Sequence, residues 1–209
     1  MHTRSYDAIV LQAHDVGEAD RFLILFTRER GKLAARARGV RKIKSRMGGA
    51  LLPLHRVTVD LAEHASGFLV TGCQIQAPSP RKNLREFLAA EQAIDLLLSL
   101  LHDEEPLPEI FESTCRFLGR TDYERHHVLA YTLHLLSLLG VLPGPAADEF
   151  YAHFSPDERA FIRESTQSHF PEHAPPSLHR LSLLCRRLVE EQGGRALRAA
   201  EIVQRCLDA

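Results

Sequence analysis

The chain has 209 residues, 44% hydrophobic and 25% charged, with a net charge of −1 and four cysteines. That composition belongs to a folded chain with room for one large domain or two small ones, and it excludes global disorder as the working state. No run reaches the roughly 18 consecutive apolar residues that a bilayer span requires, and Met1 to Val10 lacks a signal-peptide core behind Arg4, so a cytoplasmic location is expected.

Charge is unevenly spread. Between Arg21 and Arg56 lie eleven basic residues against one acid, Glu29, a net of +10, so the rest of the chain carries −11. A basic stripe on an otherwise acidic protein points to a polyanion, most simply nucleic acid.

From Tyr6 to Pro78 the pattern is that of strands. Ala8 to Leu11 and Phe22 to Phe26 are short β-branched or aromatic runs, and Arg30-Gly31 reads as a hairpin turn. Beyond it Leu33, Ala35 and Ala37 fall on one face of an extended chain, with Lys32, Ala34, Arg36 and Arg38 on the other. A glycine-containing basic loop, Gly39 to Gly49, is expected to be mobile. Val57, Val59 and Leu61 alternate again, and Phe68 to Ile75 gives a last strand. Five short strands in this length predict a small closed barrel, which leaves no edge unpaired.

Pro78-Ser79-Pro80 breaks the strand pattern and predicts a boundary, giving a barrel domain at 1–78 and a helical domain at 79–209, an α+β chain. Leu84 to Leu101 repeats at helical spacing behind Asn83, with Glu86 three residues later as capping partner. Glu109 to Leu118, Asp122 to Leu139, a helix starting at Ser155-Pro156-Asp157-Glu158, Ser177 to Glu191 and Ala199 to Leu207 complete six predicted helices.

The basic stripe is the strongest functional signal, because Lys and Arg bind phosphates with release of condensed counterions. Arg21, Lys32, Arg36, Arg38, Arg41, Lys42, Lys44 and Arg46 are the expected DNA-binding residues. Tyr6, Phe22, Phe26 and Phe68 are the nearby aromatics, and they are expected mostly in the barrel core rather than stacked on bases. His126, His127 and His134 on one helix read as packed or solvated histidines. The cluster His153, His169, His173 and His179 lies in a proline-rich stretch that lacks the rigid elements a metal site needs, so no metal and no cofactor are expected. Cys73, Cys115, Cys185 and Cys206 form no C-x-x-C pair and read as reduced thiols. Asp103, Glu104 and Glu105 read as a solvated cap of the helical half. No nucleophile elbow and no phosphate-cradling glycine loop is present, so the chain does not read as an enzyme.

Tyr6-Asp7-Ala8-Ile9-Val10-Leu11, Gly17-Glu18-Ala19-Asp20-Arg21, Phe26-Thr27 through Gly31-Lys32-Leu33, Ala37-Arg38-Gly39-Val40-Arg41 and Pro53-Leu54 resemble the opening of the bacterial recombination mediator family RecO; Gly194, Leu197 and Arg198 echo its C-terminal end. The resemblance implies an N-terminal OB-fold and a helical C-terminal domain. It also implies binding of single- and double-stranded DNA, annealing of strands coated by single-stranded-DNA-binding protein (SSB), and work with RecR to load RecA. Many members carry a four-cysteine zinc site near the position of Leu139 to Pro145; this chain has no cysteine pair there, so a zinc-free variant is expected. The family also implies that the acidic SSB tail docks on the helical half, where Arg180, Arg186 and Arg187 are the expected contacts. Residues 86 to 160 hold fourteen acids against four basic residues, which suits protein docking better than DNA. Nucleoid association in the cytoplasm follows from the same resemblance. The rival reading is an OB-fold enzyme acting on nucleic acid with chemistry in the histidine-containing helices.

Overall fold

The structure is a computed structural model and describes residues 2–78, 83–144, 147–167 and 170–193. Strands β1 (Thr3–Val16), β2 (Asp20–Thr27), β3 (Gly31–Ala37), β4 (Arg56–His64) and β5 (Gly67–Ala77) close into a barrel in the order β1-β2-β3-β5-β4. All neighbours are antiparallel except β3 and β5, which run parallel through Ala35, Arg36 and Ala37 against Phe68, Leu69 and Val70. This is the five-stranded OB-fold. Register shifts between Val10 and Gln12 and between Asp60 and Leu61 supply the bends that closing so small a barrel demands.

The alternation expected of β3 is present residue by residue: Leu33, Ala35 and Ala37 are buried, Ala34 and Arg36 exposed. They join Ala8, Val10, Leu23, Leu25, Val57, Val59, Leu61 and Val70 in one interior cluster. Leucine and valine from some strands meet alanine from others, the large-with-small pairing that fits a narrow barrel. Val40 and Leu51, from the loop between β3 and β4, belong to the same cluster, and Met47 packs on it. The loop expected to be mobile is therefore tied down at intervals by apolar anchors, with its cations between them.

Packing divides the chain into two units, Met1–Pro80 with Leu101–Gly119, and Arg81–Leu100 with Arg120–Ala209. A later segment, Leu101–Gly119, thus belongs with the barrel. In that segment helix α2 (Pro108–Leu118) sets Phe111 edge-on to Phe26, ring centroids 5.5 Å apart. Just before it, Asp103 bridges to Lys32, and the Glu104 N–H donates to the Lys32 carbonyl at 2.7 Å. Gly31 makes that approach possible: its φ is +71°, and a Cβ there would lie 1.9 Å from the Glu105 carbonyl oxygen. The acids at 103 to 105 are accordingly part of the barrel unit, not a solvated cap of the helical half. Local spacing marks α2 as amphipathic but cannot say which apolar surface it meets.

The other unit contains α1 (Leu84–Leu100), α3 (Arg125–Leu138), α4 (Asp148–Tyr151), α5 (Pro156–Thr166) and α6 (His179–Gly193). Asn83 caps α1 through the Glu86 N–H at 3.0 Å, and Ser155 caps α5 with Glu158 reaching back to the Ser155 N–H. Helix α3 is buried from His126 through Leu136, as a helix enclosed by others must be, and it packs on α1, α5 and α6. It starts at Arg125 rather than Asp122. The single turn α4 is too short to announce itself by periodicity. The predicted helix Ala199–Leu207, with Gly194, Leu197 and Arg198, lies outside the described residues.

Candidate nucleic-acid interface

The basic stripe does not survive folding as a uniform surface. Seven of its eleven cations are held in ion pairs: Arg21, Arg28, Arg30, Lys32, Arg36, Arg41 and Arg56. One group faces the returning segment, where Arg28 meets Glu112 at 2.7 Å, Arg30 meets Glu104 at 2.5 Å and Glu63 at 3.0 Å, and Lys32 meets Asp103 at 3.3 Å. Arg56 grips Asp7 with two hydrogen bonds, and that bond first of all pushes its pKa above the ordinary arginine value. Its guanidinium also lies over the Phe111 ring at 5.7 Å.

The second group organises the loop. Arg21, whose side chain is only 14% exposed, donates to the carbonyls of Gly48 and Leu51 at 3.2 and 3.0 Å and pairs with Asp15 at 3.1 Å. Arg41 also pairs with Asp15, at 3.2 Å, and donates to the Gly17 carbonyl at 2.9 Å. Asp20 accepts the Gly39 N–H at 2.9 Å and Arg36 at 2.7 Å; the backbone bond first, then the guanidinium, holds its carboxyl below the usual range. The β1–β2 hairpin thus clamps the root of the loop through two aspartates, Asp15 at the end of β1 and Asp20 at the start of β2.

Among the described residues four of these cations have no ion pair, all exposed and all just after β3 or in the loop: Arg38, Lys42, Lys44 and Arg46. These four are among the eight residues expected to bind DNA. Arg36 and Arg41 are half-committed, with side chains 52% and 35% exposed. Arg21 and Lys32 are structural, because each is largely buried against its own acid. Sequence spacing could not separate these classes, since their acidic partners lie up to 84 positions away, as for Arg28 and Glu112.

Of the four aromatics, Tyr6 and Phe26 are buried, and Phe68 packs on the core with Arg30 over its ring at 4.9 Å. Phe22 differs. It is exposed, and its β2 position pairs with Arg36 on β3 and His14 on β1, so an open aromatic stands in one row with a cation and an imidazole. Strict alternation with inward Leu23 and Leu25 was the signal for it. Phe26 shares the outward parity of Phe22 but is covered by Phe111.

In the helical unit the histidines of α3 face inward. His127 presents Nδ1 to the Glu124 N–H at 3.1 Å and Nε2 to the Arg120 guanidinium at 3.2 Å. Burial first, then Arg120, lowers its pKa, since an added proton would meet donors on both sides. His134 Nδ1 lies 3.2 Å from the Thr166 carbonyl. Burial raises the thiols of Cys73 and Cys115 to about 11 and that of Cys185 to about 12, which keeps them protonated and unreactive at neutral pH. Among the described residues no three His, Cys, Asp or Glu side chains gather as metal ligands, and no helix is long and apolar enough to cross a membrane. Of the residues expected to receive an acidic tail, Arg187 pairs with Glu191 at 2.8 Å, and Arg180 bonds the His153 carbonyl and approaches Glu158 at 3.7 Å. Arg186 is exposed and, among the described residues, has no ion pair. His169 and Cys206 lie outside the described residues.

The closed barrel with its clamped basic loop and the helical unit define an OB-fold protein with a helical domain. Residues 1–76 match the family "Recombination protein O N terminal". The chain thus carries the N-terminal domain of that family. It is 38% identical over 143 residues to "DNA repair protein RecO" of Myxococcus xanthus (strain DK1622), covering 66% of this chain and 59% of that one. Identity to the protein of the same name from Anaeromyxobacter dehalogenans (strain 2CP-C) is 32% over 142 residues, covering 65% and 56%. For that of Geobacter sulfurreducens (strain ATCC 51573 / DSM 12127 / PCA) it is 36% over 126 residues, covering 58% and 51%. The matched part of the chain therefore spans just over half the length of these relatives.

Proposed function

We propose that this chain is a non-enzymatic DNA repair and recombination mediator that grips nucleic-acid backbones through the loop between β3 and β4. The observation that carries this reading is the placement of the cations that have no ion pair among the described residues: Arg38, Lys42, Lys44 and Arg46 stand together in nine residues that contain no acid. Arg36 and Arg41 add charge by exchanging a partly exposed aspartate for phosphate. Such a track reads no sequence. It screens repulsion between two phosphate backbones, which is what annealing of complementary strands requires.

The test is salt-dependent binding of a labelled single strand and of a duplex. Replacing Lys42, Lys44 and Arg46 together by Glu is expected to weaken binding by about tenfold or more and to flatten the dependence on log salt by about two to three, one step per lost phosphate contact. Equal affinity in wild type and variant at low salt would sink the assignment.

The finer role follows the family: annealing SSB-coated strands and, with RecR, loading RecA. Arg180, Arg186 and Arg187 of α6, with the exposed Leu183 among them, offer an acidic-apolar peptide such as the SSB tail both a charge and an apolar contact. A tail peptide that binds equally well after all three arginines become Ala would remove that placement.

A further inference from the structure

Ile43 is fully exposed, 103% of its reference area, in the middle of the cationic loop. Exposed apolar residues are common singly, but the surroundings of this one are specific. The Ser45 N–H donates to the Lys42 carbonyl at 2.8 Å, so residues 42 to 45 form a turn with Ile43 at its first corner. On one side Arg41 is fastened to Asp15, Gly17 and the Ala19 carbonyl; on the other Met47 packs on the barrel interior. The short tip between these anchors carries Lys42, Lys44 and Arg46, which have no ion pair among the described residues, and one large apolar side chain.

We propose that Ile43 is a wedge that enters the base stack of duplex DNA when the flanking cations settle on phosphates. The inference rests on the DNA-gripping reading and adds to it. Lys42 and Lys44 follow the charged backbone, so the side chain between them must sit either in water or against the groove, where apolar surface and base faces are the available partners. An isoleucine pressed between base steps unstacks them at the cost of a local kink, and the tethering charges offset that cost. A fixed root lets the tip push without folding back. Binding would then loosen a duplex locally as well as hold it, an asset to a protein that exchanges strands.

The experiment uses the whole chain and a duplex with 2-aminopurine at a central step, whose fluorescence rises on unstacking. Binding is followed in parallel by anisotropy across a salt series. Wild type is expected to raise the fluorescence at saturation, I43L to keep the rise, and I43S to lose most of it while its salt dependence is unchanged and its affinity falls about threefold to tenfold. Thermal melting of I43S should match wild type, since Ile43 has no packing to lose. An equal rise with I43S, or saturation by wild type with no rise, overturns the wedge and leaves the grip intact. Absence of salt-dependent duplex binding overturns both. Flotation with phosphatidylglycerol vesicles that Ile43 alone controls would assign the tip to a lipid surface and also overturn it.

Discussion

Asp20 holds Arg36 at 2.7 Å across the β2–β3 ladder and, with its other oxygen, takes the Gly39 N–H at 2.9 Å. One carboxylate thereby sets both the direction of a strand cation and the departure of the basic loop from β3. Because the Gly39 N–H, and then Arg36, stabilise its charged form, its folded pKa lies below its unfolded value. A depressed carboxylate contributes stability fully above the unfolded value of 3.8 and loses it as pH falls through the folded one.

Asp20→Asn is therefore expected to lower the melting temperature at pH 7, with the gap to wild type closing as pH falls below about 4. Melts across that range check it; a gap that is constant with pH would show that shape, not charge, carries the effect.

Arg21 and Lys44 predict opposite outcomes although both belong to the basic stripe. Arg21→Ala strips two loop carbonyls and Asp15 of a largely buried partner and is expected to cost about 1–3 kcal/mol of stability. Lys44→Ala should stay within about 0.5 kcal/mol while weakening DNA binding. Urea unfolding alongside DNA titration separates the two roles.

Phe111 lies fully buried against Phe26, so it belongs to the barrel's packing although it stands 85 positions after Phe26 in the chain. Phe111→Ala is expected to destabilise the protein by about 3–5 kcal/mol. Chemical denaturation measures it, and a loss under about 1 kcal/mol would show the returning helix to be a loose appendage.

Much of this was legible in the linear order of residues. Alternation in Leu33, Ala35 and Ala37 named the inward face of β3, and the Ser155–Glu158 and Asn83–Glu86 spacings named two helix starts. These are short-range rules, satisfied within a few positions of the residues they concern, and periodicity or capping states them directly. Phe22 was legible too, had its parity outweighed its hydrophobicity.

What only tertiary structure decided is which charges are free. Eleven basic residues in one stretch look alike in sequence, yet Glu104, Asp103 and Glu112 neutralise one end, Asp15 and Asp20 brace the middle, and Arg38, Lys42, Lys44 and Arg46 are left outside. Composition counts charge, but an ion pair depends on a distance of about 4 Å or less between groups that the chain may separate by tens of residues, and closing the barrel is what sets those distances.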